Sequence, residues 1–161
     1  MRTRATRALD ALGLAYRLLE FEAEAHTAAE AAERLGLPPE QIFKTLVVRS
    51  DRGEVFLACV PGNRDLDLRA LARCAGVKRV EMADAPALVR LVGYIRGAVS
   101  PLGTRRRYPV FVDASALDHA RISVSAGVCG LQIWIDPRDL IRATGARVAS
   151  LTTAVNPPAG T

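Results

Sequence analysis

At Thr27 and Gly36, Asp67 and Gly76, and Asp84 and Gly93, a residue suited to capping a helix is followed nine positions later by a glycine suited to ending one. Such a frame admits helices of only about two turns, roughly 12 Å long. Each frame encloses helical spacing of apolar residues: Ala28, Ala31, Ala32 and Leu35 in the first, and Leu68, Leu71, Ala72 and Ala75 in the second. Thr27 with Glu30 also has the form of a capping box. Pro86 sits in the opening turn of the third frame, and Asp136 followed by Pro137 opens a further helix. A first helix is expected over Ala5, Ala8, Leu9 and Leu12, stopped by Gly13.

Between these helices lie short β-prone runs. LAYRLLEF precedes the Thr27 frame, and FKTLVVR and EVFLACV flank the turn Ser50-Asp51-Arg52-Gly53 as a hairpin. KRVEM gives a short strand, YPVFVD, RISVS and LQIWI cluster late, and ARVASL gives a last one. Helices and strands are interleaved early, strands gather late, and several connections are short enough for antiparallel pairing. The expected fold class is α+β, a mixed, curled, barrel-like sheet flanked by helices. One domain over residues 1–154 is expected, with NPPAGT ending in a loose tail over 155–161.

Composition removes several function classes. No apolar run approaches the ~20 residues that cross a bilayer, and the Arg-rich opening leads into a helical pattern rather than a signal-peptide core. A cytoplasmic location is expected. Cys59, Cys74 and Cys129 show no metal or disulfide spacing, and His26 and His119 are far apart, so no cofactor is implied. The formal charge is +5, from 22 basic and 17 acidic residues, which favours a polyanionic partner. Only two of the basic residues are lysines, Lys44 and Lys78.

Lys44 stands inside the strand FKTLVVR, on the face of Leu46 and Val48, with Thr45, Val47 and Arg49 opposite. An ammonium group facing the core needs an anionic or carbonyl partner; near a strand start it also has the option of reaching water. GAVSPLG, over Gly97, Ala98, Val99, Ser100, Pro101, Leu102 and Gly103, has a glycine at each end and a proline inside. Its backbone suits close approach to a ligand, with N–H groups presented to a carbonyl or phosphate oxygen, or an ordinary tight connection. Ser100 has no adjacent base, so no hydrolase triad is indicated. Arg105, Arg106 and Arg107 follow at once, either a cationic rim for a ligand's phosphates or solvated surface.

The stretches LGLPPEQIFKTLVV, LDL with A-G-x-K-x-V, GYIRGAVSPLG, FVDAS, and ISVSAG with GLQI together resemble the YbaK/EbsC family, which is related to the editing domain of bacterial prolyl-tRNA synthetases. That resemblance implies hydrolysis of the ester joining a mischarged amino acid to tRNA, with cysteine on tRNA(Pro) as substrate and prolyl-tRNA synthetase as an associated protein. It implies a functional role for Lys44 and makes Gly97 to Gly103 the substrate loop, with Phe21 and Thr45 as pocket neighbours. It also implies substrate assistance, in which the cysteine thiol attacks its own ester. Two positions depart from the family pattern. Ala98 stands where a second glycine is common and is expected to place a methyl near the carbonyl site; Cys129 stands where a basic residue is common. Deacylation of alanine or serine, or tRNA binding without catalysis, remain alternatives.

Overall fold

The computed structural model describes residues 2–22 and 27–153. The order is α1 (Arg4–Ala11), β1 (Arg17–Glu20), α2 (Ala28–Leu35), β2 (Phe43–Ser50), β3 (Val55–Pro61), α3 (Leu68–Ala75), β4 (Val80–Met82), α4 (Ala85–Val92), β5 (Val110–Asp113), β6 (Ile122–Ser125), β7 (Leu131–Ile135), α5 (Pro137–Thr144) and β8 (Arg147–Ala149). Short 3-10 turns at Pro39–Gln41 and Ala114–Asp118 fill two connections that the sequence pattern left open. Residues 155–161, expected to form a tail, lie outside the described residues.

The capping frames set the helices. Thr27, Asp67 and Asp84 each accept the backbone N–H of the residue three positions on, and Gly36, Gly76 and Gly93 close the helices in the left-handed conformation. Gly145 ends α5 in the same way. At α1 the box is built from two threonines: Thr6 N–H bonds the Thr3 hydroxyl, and Thr3 N–H bonds that of Thr6.

The class is α+β, as expected, but the strands form two sheets and do not close into a barrel. A three-stranded antiparallel sheet runs β1-β7-β6, and a five-stranded mixed sheet runs β4-β2-β3-β5-β8. The expected hairpin is β2 on β3, in register from Phe43 opposite Pro61 to Arg49 opposite Val55. Beyond it β5 joins β3 in parallel and β8 joins β5 in parallel, which gives the mixed sheet that was expected. Both parallel steps are long crossovers, through α3, β4 and α4 in one case and through β6, β7 and α5 in the other.

The larger sheet is buried on both faces. Phe43, Val47, Leu57 and Val112 meet Ile122, Val124, Leu131 and Ile133 of the smaller sheet, with Leu9, Leu88, Val92 and Leu140 from α1, α4 and α5. On the other face Val48, Phe56, Ala58, Val60 and Phe111 pack under Leu71 and Ala72 of α3. A small third cluster sets Ala31 and Ala32 of α2 against Ile42, with Phe21 alongside. The two sheets touch at a corner, where Ile42 makes a parallel bridge to Ser123.

Candidate functional site

The site exists because β4 is too short to cover the edge of β2. It pairs only Val48, Arg49 and Ser50, after which Ala83 N–H takes the Val47 carbonyl at 2.9 Å and the chain leaves into α4. From the Ile42–Ser123 bridge to Val47 that edge carries no strand. Strand alternation then turns the main-chain groups of Thr45 the same way as the Val47 carbonyl, outward from β3. A cleft of about 560 Å³ opens along this gap, lined by all five residues from Phe43 to Val47.

Lys44 is half-buried on the wall of this cleft. Among the described residues its ammonium group makes no hydrogen bond or ion pair. Of the two options the sequence left open, the structure takes an intermediate one: Lys44 is neither fully buried nor fully exposed, and it lines the cleft. Asp84 also lines the cleft, yet its carboxylate accepts the Ala87 N–H at 3.0 Å as the cap of α4. The first turns of α2 and α4 both line the same space, and the positive ends of the two helix dipoles add to the charges of Lys44 and Arg96. The cleft favours an oxygen-rich or anionic ligand.

The first half of the glycine-bounded loop, Gly97 and Val99, also lines the cleft, with Arg96 before them. Gly97 holds a φ of 86°, open to glycine at little cost. Ser125 Oγ donates to the Ala98 carbonyl at 3.0 Å and accepts from Gly127 N–H at 3.0 Å. Across the same trans peptide the Val99 N–H points away from Ser125, and among the described residues neither Gly97 nor Val99 makes a hydrogen bond. An unpaired N–H at a nearly buried residue is costly unless a ligand completes it. Val99, 8 % exposed, is such a residue, whereas Gly97 is exposed.

The second half of the loop does a different job. Ser100 is fully buried and accepts Leu102 N–H, while Tyr94 donates its hydroxyl to the carbonyls of Leu102 at 2.6 Å and Gly103 at 3.2 Å. Arg4 closes the other end, bonding the Gly93 carbonyl and lying 4.9 Å above the Tyr94 ring. Tyr94 thus pins the far end of the loop, and α1 holds Tyr94.

Of the residues singled out in the sequence, the structure brings Phe21, Lys44, Thr45, Gly97 and Val99 to the cleft. Ser100, Pro101, Leu102 and Gly103 lie behind it as the anchor. Ala98 is 1 % exposed and absent from the cleft wall, so its methyl does not crowd the site as the sequence had suggested. Arg105, Arg106 and Arg107 are exposed and line no part of the cleft; Arg105 N–H bonds Val92 at the end of α4, and Arg107 lies beside Gly145.

Among the cleft residues that escaped the sequence reasoning are Arg96, Ser125 and Gln132. Arg96 is the one charge inside GYIRGAVSPLG. Ser125 and Gln132 are polar residues in largely buried strands, and Gln132 accepts the hydroxyl of Ser123, the other serine of β6, at 2.7 Å. A polar side chain in an inward-facing strand position was the signal available for both.

Among the described residues no protein nucleophile stands ready there. Cys59 is fully buried, contacts Thr45 Oγ1 at 3.6 Å, and has its thiol pushed up to about 12 by desolvation, which keeps it protonated. Ser125 is committed to Ala98, and no His lines the cleft among the described residues.

Residues 22–143 match a family described as the aminoacyl-tRNA editing domain. This chain belongs to that family. The editing domain is 38% identical to EbsC of Enterococcus faecalis, a protein named for Cys-tRNA(Pro)/Cys-tRNA(Cys) deacylase activity, over 94% of each chain. It is 31% identical to a proline–tRNA ligase of Acidithiobacillus ferrooxidans over 74% of its own length, but spans only 21% of that ligase. Among solved structures it resembles one described as a trans-editing enzyme for prolyl tRNA synthetase, with a TM-score of 0.85 and 29% identity, covering 96% of this chain and 99% of the other. A hypothetical protein, APE2540, superposes with a TM-score of 0.88 at 32% identity, covering 94% of this chain and all of that one. Among the described residues no helix is long and apolar enough to cross a membrane.

Proposed function

We propose that this editing domain is a trans-acting deacylase that removes cysteine from tRNA(Pro). The observation that carries this is that Lys44 and the Gly97 and Val99 N–H groups, which have no partner among the described residues, line one cleft, with no protein nucleophile placed there among those residues. The terminal adenosine and its aminoacyl ester enter the cleft. The ester carbonyl is held by the loop N–H groups, and Lys44 stabilises negative charge that develops on the reacting oxygens.

With cysteine as the ester, the attacking atom comes from the substrate. Its thiol loses a proton, a loss that costs little near neutral pH because an ordinary cysteine has a pKa of about 8.5. The sulfur attacks the carbonyl carbon, and the negative charge passes to the carbonyl oxygen. When that intermediate collapses, the C–O bond to ribose breaks and the ribose oxygen takes up a proton. The products are a cysteine thiolactone and free tRNA. The protein contributes positioning and charge stabilisation.

This chemistry also supplies selectivity. One methylene distinguishes side chains by only about 1–3 kcal/mol in a pocket, whereas a serine hydroxyl of similar size is a far weaker nucleophile than a thiol. Association with prolyl-tRNA synthetase, in keeping with the proline–tRNA ligase relatives, would supply the choice of tRNA.

The test is a deacylation panel of Cys-, Ala- and Ser-tRNA(Pro) with product analysis. Rapid loss of cysteine with trapped thiolactone is expected, with little loss of alanine or serine. Free amino acid from Ala- or Ser-tRNA(Pro) would instead make the domain a water-dependent deacylase. Binding without turnover on all three would make it a non-catalytic module.

A further inference from the structure

A second concavity, about 340 Å³, lies between α3 and β4, on the far side of the larger sheet's outer core. Its floor is apolar, from Leu68, Ala72, Val77 and Val80, and four exposed cations stand around it: Arg69, Arg73, Lys78 and Arg79.

Nothing in the fold balances this charge. Among the described residues the ion pairs involve Arg34, Arg121, Arg138 and Arg142, and none of the four groove cations. Arg69 and Arg73 are one turn apart on α3, a like-charge spacing that weakens a helix. Arg73 gains from its place in the last turn, but Arg69 sits in the first turn, where a cation opposes the helix dipole. Asp67, the nearest acid on that helix, is occupied as its cap by Ala70 N–H at 3.0 Å. Asp51, whose N–H bonds the Arg79 carbonyl, and Glu81, two positions after Arg79, form no ion pair with any of them. The arrangement costs stability and leaves four cations free for an external polyanion.

Its position says which polyanion. Val80, the first residue of β4, lines the groove, and Met82, the last, lines the Lys44 cleft. At about 3.3 Å per residue the two openings are separated by roughly 7 Å of strand. We propose that the α3–β4 groove binds backbone phosphates of the RNA whose aminoacylated 3′ end occupies the cleft, which rests on the editing activity proposed above. The contacts are to phosphate, so they carry affinity and orientation rather than sequence choice.

Titration of uncharged tRNA by fluorescence anisotropy at several salt concentrations tests the groove without requiring catalysis. For Arg69→Ala/Arg73→Ala, and separately for Arg79→Ala, thermal melting checks that the fold is retained. The double variant is expected to bind about tenfold more weakly at low salt and to lose about 1.8 from the slope of log affinity against log salt, the loss for two phosphate contacts. The ratio of kcat/KM on full-length Cys-tRNA to that on a cysteinyl trinucleotide should fall by a similar factor. Folded variants with unchanged affinity and slope would overturn the proposal, as would tRNA binding by the wild type that does not respond to salt. If the wild type deacylates nothing but loses salt-dependent tRNA binding in these variants, the groove stands and the assigned reaction fails. An Arg105→Ala/Arg106→Ala/Arg107→Ala variant that alone abolishes the salt response would place the phosphates at that run and overturn the groove.

Discussion

Gly103→Ala should lower the melting temperature by roughly 10 °C and take most of the deacylase activity with it. Gly103 holds a φ of 65°, and a Cβ built there would lie 2.5 Å from the carbonyl carbon and oxygen of Arg4 and 2.7 Å from Ala5 N. The neighbour is helix backbone, which cannot swing aside as a side chain can. The left-handed conformation costs an alanine about 1–2 kcal/mol, and forcing α1 away adds about 1–3 kcal/mol of overpacking. Together that is a large part of the ~5–15 kcal/mol that holds an ordinary domain folded. At 2–4 °C per kcal/mol for a chain of this size the shift follows. Gly13→Ala is the control: its φ is 69° but nothing lies within 4 Å of the added methyl, so only the conformational cost remains. Equal melting of the two variants would show that α1 does not press on the loop. The activity loss follows because the Gly103 end of the loop is what Tyr94 and α1 hold in place.

The second large effect is chemical. Lys44→Ala is expected to reduce kcat/KM for Cys-tRNA(Pro) by about 10²- to 10³-fold, the usual loss when one preorganised charge-stabilising donor is removed. Stability should change by no more than about 0.5 kcal/mol, because the side chain is half-buried and its ammonium has no partner among the described residues. Lys44→Arg should recover only part of the loss, since a planar fork does not place its charge where a compact ammonium does. Steady-state kinetics beside a thermal melt separates the two quantities, and full activity in Lys44→Ala would remove that residue from the reaction.

What the sequence made legible is what local chemistry dictates. Caps and stops at Thr27 and Gly36, Asp67 and Gly76, and Asp84 and Gly93 marked three helices, because each signal acts within nine residues. The β2–β3 hairpin followed from its turn and flanking runs. The parallel strands were hidden, since β3 and β5 are joined by a crossover whose packing no local pattern encodes. The same distance hid half of the site. Lys44 and the glycine-bounded loop announced themselves, yet Ser125 and Gln132 reach the cleft only through the pairing of β6 with β7 and the corner bridge at Ile42.

The face of Lys44 was ambiguous for a related reason. Alternation in FKTLVVR assumes one wet face, whereas β2 lies between β3 and β4 with core on both sides, so Phe43 and Val47 pack one way and Val48 the other. What exposes Lys44 is the shortness of β4, a property of a different strand. Ala98 was misjudged because a motif records which residue follows Gly97 but not which way its methyl points; the bond from Ser125 to its carbonyl goes with a buried methyl.

Amide chemical shifts measured while an amide-linked, non-hydrolysable cysteinyl-adenosine is added to labelled protein test the central claim most directly. If the cleft grips the carbonyl through the loop and Lys44, the Gly97 and Val99 N–H resonances move downfield and saturate together with the Lys44 Nζ signal. Saturable binding that shifts other residues while leaving Gly97, Val99 and Lys44 unmoved would contradict it.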